Sequence, residues 1–165
     1  LSVLGGSYQK PPTGQVVLGL TDDGATPNAE LVFSDGGLTG PAPDVPAPAA
    51  MAGDLNQTFR ISKTTNAVVM PTGAANPAQV KVTSLNASTG AFAGSFALGG
   101  DADPTKQGNL LTRKVTFKGL LIPRAGFNRG AGYFLMPKLP QAGPPPTTLT
   151  TSPVLSGRVR LLPAE

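Results

Sequence analysis

The sequence predicts an all-β fold, a small antiparallel β-barrel of short glycine-rich strands with long proline-rich loops; a β-sandwich is the alternative. Three observations predict it. No window of about 11 residues carries an apolar stripe at i, i+3, i+4 and i+7 without an interrupting Gly or Pro, so helices are not expected. Apolar residues alternate with polar ones in short runs bounded by turn residues, the mark of half-buried strands joined as hairpins. Glycines stand inside several of those runs, where the tight coiling of a barrel needs them. With 21 Gly and 18 Pro in 165 residues the chain nears low-complexity composition, but its 39% hydrophobic content falls in periodic blocks, which argues against disorder.

About nine strands follow along the chain. Gln15 to Leu20 places Val16, Leu18 and Leu20 on one face. Ala29 to Ser34 follows the turn Asp22-Asp23-Gly24-Ala25-Thr26-Pro27 and stops at Gly36-Gly37. Residues 39–54 hold Pro41, Pro43, Pro46 and Pro48, which remove backbone donors and predict an extended loop. Gln57 to Ser62 and Ala67 to Met70 come next. Gln79 to Ser84 turns Val80 and Val82 inward, with Lys81 and Thr83 outward. Ala91 to Leu98 is the clearest strand, with Phe92, Gly94, Phe96 and Leu98 on one face. Thr112 to Pro123 puts Val115, Phe117, Gly119 and Leu121 together; its other face begins charged and turns apolar, so both sides should be covered at its end. Phe127-Asn128-Arg129-Gly130 reads as a hairpin turn and Gly132 to Met136 as the returning arm. A second proline-rich loop, 137–153, precedes the last strand, Val154 to Leu162, in which Arg158 and Arg160 alternate with Gly157, Val159 and Leu161. This length suits one domain over 1–165, because the residues before the first proline-rich loop are too few to bury a core alone.

Composition excludes more chemistry than it suggests. The chain has no histidine and no cysteine. It therefore has no imidazole base near neutral pH, no thiolate nucleophile and no disulfide. Charged residues are 13% of the chain, about half the usual share, which suits a secreted or surface protein. Zero cysteine fits bacterial export. No apolar run reaches the about 20 residues of a membrane-spanning helix. Leu1, with no initiator Met, reads as the start of a mature form or of a fragment. Residues 1–100 hold four basic and six acidic groups, whereas 101–165 hold nine basic and three acidic, so the C-terminal half is the one that could meet a polyanion.

Local motifs carry little chemistry. Asp101-Ala102-Asp103 has the spacing that opens calcium loops but lacks the next alternate oxygen and the distal Glu. Asp22-Asp23-Gly24 is equally incomplete and reads as a turn. Glu30 and Glu165 are the only glutamates, too few for a carboxylate pair across a cleft. Ser62-Lys63 is the one nucleophile pairing that needs no histidine. Asn56-Gln57-Thr58 and Asn86-Ala87-Ser88 match the glycosylation triplet, which is common by chance. Arg113, Lys114, Phe117, Lys118, Arg158 and Arg160 give a faint basic and aromatic pattern, but the low charge density argues against nucleic acid. With no Trp, sugar platforms are scarce: Tyr8, Tyr133 and most phenylalanines are expected in the core, leaving Phe127 as the exposed aromatic.

Over residues 83–162 the chain resembles an uncharacterised glycine-rich all-β module of large exported bacterial surface proteins. The resemblance rests on Thr89-Gly90-Ala91-Phe92-Ala93-Gly94-Ser95-Phe96, on Phe117-Lys118-Gly119-Leu120-Leu121 and on Gly130-Ala131-Gly132-Tyr133-Phe134-Leu135. It implies a fold and a cell-surface location, and no activity. The expected function is a non-enzymatic structural or adhesive module without cofactor, which packs against other domains or copies of surface proteins through the loops 39–54 and 137–153. The competing expectation is a glycan-binding module that uses Phe127, Arg129, Arg158 and Arg160 on an acidic polysaccharide.

Overall fold

The computed structural model describes residues 7–38, 55–123 and 128–165. They form β1 (Ala29–Asp35), β2 (Gln57–Ile61), β3 (Val68–Val69), β4 (Lys81–Leu85), β5 (Ala91–Ala102), β6 (Leu110–Ile122), β7 (Arg129–Pro137) and β8 (Val154–Pro163). All neighbours pair antiparallel in one sheet of order β3-β2-β1-β8-β7-β6-β5-β4, which curls into a nearly closed barrel. The seam lies between the short edge strands β3 and β4. The segment joining them crosses it: Ala97 N–H donates to Ala78 O at 2.8 Å, and Gln57 Nε2 donates to Ala75 O at 3.1 Å. Asn76 holds this crossing in shape by donating to Val80 O and accepting from Val80 N–H, which seats Val80 in the core.

The barrel is filled by rings seated on glycines. Six of the seven phenylalanines (Phe33, Phe59, Phe92, Phe96, Phe117 and Phe134) are buried, and Phe127 lies outside the described residues. Phe33 meets Phe96 and Phe117 edge-on at centroid distances of 5.0 and 5.3 Å, and Phe96 meets Phe134 at 5.5 Å. Each such contact adds about 0.5–1.5 kcal/mol beyond burial. Directly opposite three of these rings on the neighbouring strand stands a glycine: Phe92 faces Gly119, Phe117 faces Gly94 and Phe134 faces Gly157. A Cβ at any of the three glycines would overlap the facing ring. Glycine inside these strands is therefore the floor on which a ring lies, a cross-strand device that also lets the sheet coil tightly.

The expected strands at 29–34, 57–62, 91–98, 112–123 and 154–162 correspond to β1, β2, β5, β6 and β8. The inward set of β5 is Phe92, Gly94, Phe96 and Leu98, as alternation required. Four expectations need correction. Gln15 to Leu20 is not a strand: Val17–Gly19 is a 3-10 turn, and Val16, which precedes it, is buried consecutively with Val17 and Leu18. A strand of a one-layer barrel buries alternate residues only; this segment buries a continuous run as a plug, with Val17 N–H bound to Asn66 Oδ1. Second, β4 begins at Lys81, and a bulge between Val82 and Ser84 leaves Val82 half-buried. Third, Arg129 and Gly130 already belong to β7, paired with Ile122 and Leu121. Fourth, the end of β6 is covered at Ile122 but not at Leu120, which is exposed. The second proline-rich loop connects β7 to β8, while 39–54 lies outside the described residues.

The turn at 22–26 is fastened by two carboxylates. Asp22 accepts from Gly24 N–H, Lys63 N–H and the Arg60 guanidinium, tying the turn to β2. Asp23 accepts from Ala25 N–H, Thr26 N–H and the Thr26 hydroxyl. These donors, the Thr26 hydroxyl foremost, bring Asp23 down to about 2. A carboxylate lowered on folding stabilises the fold above its ordinary range and loses that contribution as pH falls through its folded value. Titrating the Thr26 amide shift by NMR should give a midpoint at about 2; a midpoint at the ordinary aspartate value would show the hydrogen bonds absent in solution.

Candidate functional site

Since phenyl rings fill the interior, a ligand must be met outside. Grooves of about 440 and 520 Å³ lie at the plug end of the barrel, beside Tyr8, Lys10 and Gln15 and beside Asp22, Thr26 and Asn28. Several of their polar groups already serve the fold. Tyr8 donates to Ala87 O, Asn28 donates to Thr21 O and Ile61 O, and Asp22 holds Arg60. Among the described residues neither groove brings together an acid and a base placed for proton transfer.

The sequence-flagged polar residues are likewise committed. Ser62 Oγ accepts from Thr64 N–H in the β2–β3 turn, and Lys63 is exposed. Asp103 accepts from the Thr105 amide and hydroxyl, which lower its carboxyl below the ordinary range. Asp101 instead is buried and paired with Arg113 at 2.8 Å. The two aspartates are thus held by different partners, and among the described residues no three acidic side chains group as metal ligands. Phe117 and Arg113 also point inward, so the basic and aromatic pattern read along β6 is not one surface.

What remains is the outer face of β6, β7 and β8. Backbone register lines its side chains into rungs, with adjacent strands about 4.8 Å apart. One rung runs Ala93, Lys118, Tyr133, Arg158, Ser34. The next runs Ala91, Leu120, Ala131, Arg160, Val32. Tyr133 is therefore flanked on both sides by cations and stands among small residues. Its ring is 44% exposed, and Lys118 Nζ lies 5.4 Å from the ring centroid, within the range of a cation–π contact. Leu120 and Leu135, above and below the ring, are 58% and 54% exposed. Arg158 reaches Asp35 at 3.2 Å, with both side chains mostly in solvent.

Of the four residues singled out in the sequence, Arg158 and Arg160 sit on this face. Arg129 lies at its end opposite Ile122, half-buried and already engaged in a contact of its own. Phe127 lies outside the described residues. Tyr133, expected in the core, is instead the large exposed aromatic among the described residues, and Lys118 joins it. A signal for this was present. In Gly130-Ala131-Gly132-Tyr133-Phe134 the glycines and Phe134 share one parity, and interior glycines fix that parity as inward, which turns Tyr133 out. No family model, curated protein or solved structure matches the chain.

Proposed function

We propose that this chain is a non-enzymatic adhesive module of an exported bacterial cell-surface protein, and that it holds its partner on the outer face of β6–β8. The observation that carries the reading is the exposed cluster of Tyr133, Leu120 and Leu135 among Lys118, Arg158 and Arg160, outside a barrel whose interior is packed shut. Monomeric proteins seldom leave large apolar side chains grouped in solvent without use. The lack of histidine and cysteine and the engagement of the described aspartates support a binding role over a catalytic one. The cell-surface setting rests on the low charge content and on the resemblance over residues 83–162.

Retention of the full chain on purified bacterial envelope fragments tests the proposal. The variant L120S/Y133A/L135S should lose most of its retention, while V69S, exposed on the edge strand β3 four strands from β7, should keep it. Absence of retention by the unaltered chain would overturn the adhesive reading. Equal retention by both variants would move the site off this face.

A further inference from the structure

We infer that the ligand of the β6–β8 face is an acidic polysaccharide, one carrying a carboxylate or sulfate on its sugar repeat. This rests on the reading of that face as the adhesive surface and goes further by naming the chemistry that fits it.

Charge supplies the first argument. Strands β6, β7 and β8 contain no aspartate or glutamate. They carry Lys114, Lys118, Arg158 and Arg160 pointing to solvent, whereas Arg113 is buried with its own counterion. Among the described residues Lys114, Lys118 and Arg160 have no carboxylate partner. Arg158 has one, Asp35, but a pair so exposed adds little and yields readily to a better anion. The outer face of β6–β8 thus carries a net positive charge, with Asp35 and Glu30 of β1 at its margin.

Shape supplies the second. Tyr133 is 44% exposed, and the small residues next to it on the outer face, Ala131 along β7 and Ser156 diagonally on β8, leave room for a ligand against the ring, one side of which carries Lys118 Nζ. A pyranose presents an apolar C–H face that stacks on such a ring while its polar edge stays wet. The roots of Lys118 and Arg158 lie one strand spacing, about 4.8 Å, on either side of Tyr133, and Arg160 lies two residues, about 7 Å, along β8 from Arg158. A sugar stacked on Tyr133 would therefore hold its own acidic group, or a neighbour's, within reach of an arginine, whose planar fork suits carboxylate and sulfate. A single-stranded nucleic acid stacks successive bases on several aromatics, and among the described residues this face offers one.

The test is titration of the full chain with polygalacturonate, sulfated dextran, neutral dextran, oligothymidylate and phosphatidylglycerol vesicles, at low and at physiological salt. An acidic polysaccharide should bind, more tightly at low salt, and neutral dextran should not. Y133A should weaken binding about tenfold and Y133F should not, because stacking needs the ring and not the hydroxyl. R158Q/R160Q should weaken it about tenfold or more. D35N should tighten it severalfold by releasing Arg158, and asparagine suits the positive φ of 61° at that position. Tighter binding of oligothymidylate or of the vesicles than of either acidic polysaccharide would overturn the inference. So would failure of both acidic polysaccharides while envelope retention persists, which would leave the adhesive reading intact with a protein as partner. Loss of envelope retention as well would remove both.

Discussion

Asp101→Ala is expected to lower the free energy of unfolding by about 3–5 kcal/mol, a large share of the about 5–15 kcal/mol by which a domain is stable. Its partner Arg113 is 2% exposed, so the guanidinium left behind could not recover its hydration. Arg113 Nη2 meets Asp101 Oδ2 at 2.8 Å and Nη1 meets the Pro137 carbonyl at 3.2 Å, while Nε has no partner. Those two bonds gather β5, β6 and the end of β7 around one charge. The neutral replacement of both members, D101L/R113M, should recover much of the loss, because desolvating a charge costs more than packing an apolar group. Urea unfolding measures the series, with a lowered midpoint and an unchanged slope for the single variant. Asp103→Ala, in the exposed turn two residues on, should cost far less. If Asp101→Ala and Asp103→Ala unfold at the same urea concentration, the buried charge has found water and the argument fails.

That ion pair could not be read from the sequence, and the reason is geometric. In β5 the even positions from Phe92 to Leu98 face inward, so Asp101 counts as outward by parity. Between Gly99 and Asp101 the register against β6 slips by one residue. The extra residue is Gly100, with φ of +91°, which a side chain would resist. The bulge reverses parity and carries Asp101 into the barrel beside Arg113. Bulges arise from the pairing of two strands, and a single strand's pattern does not announce them.

The strands themselves were legible where alternation ran long, as in β5, β6 and β8. It misled at Gln15 to Leu20, where Val16, Leu18 and Leu20 alternate, yet Val17 is also apolar and its amide is held by Asn66, 49 residues away. It also misled at Gly130, where glycine beside arginine looked like a turn. Gly130 instead lies against Leu161 and Phe92, each 2.9 Å from where its Cβ would stand. In these strands a glycine can mark a turn, a bulge as at Gly100, or a close approach of a ring or backbone, and only the facing strand decides which. The candidate surface was half legible for the same reason. Arg158 and Arg160 announced themselves by charge, whereas Tyr133 became an outward residue only once its neighbours Gly132 and Phe134 were known to face in.

Gly157→Ala is the sharpest test of that ring-on-glycine principle, and it should destabilise by about 3 kcal/mol or more. The added methyl would overlap Cζ and Cε1 of Phe134 and stand 2.5 Å from Cε2. The ring cannot step aside. Gly36 lies beside Gly157 against the same ring, its own Cβ position 2.7 Å from Cε2, and Phe33 and Phe96 hem the ring in at centroid distances of 6.1 and 5.5 Å. Gly143→Ala is the matched control: a Cβ there meets nothing within 4 Å, so the same substitution should be neutral or stabilise slightly by restricting the unfolded chain. Shrinking the ring should relieve the clash. F134L/G157A is expected to be more stable than the sum of its parts by about 1–3 kcal/mol, a coupling that two residues without shared packing do not show. Additive losses in that cycle would mean that the clash is absorbed by the backbone of β8 rather than by the ring. The glycine would then be serving strand curvature alone, and Phe92 on Gly119 and Phe117 on Gly94 would have to be reread in the same way.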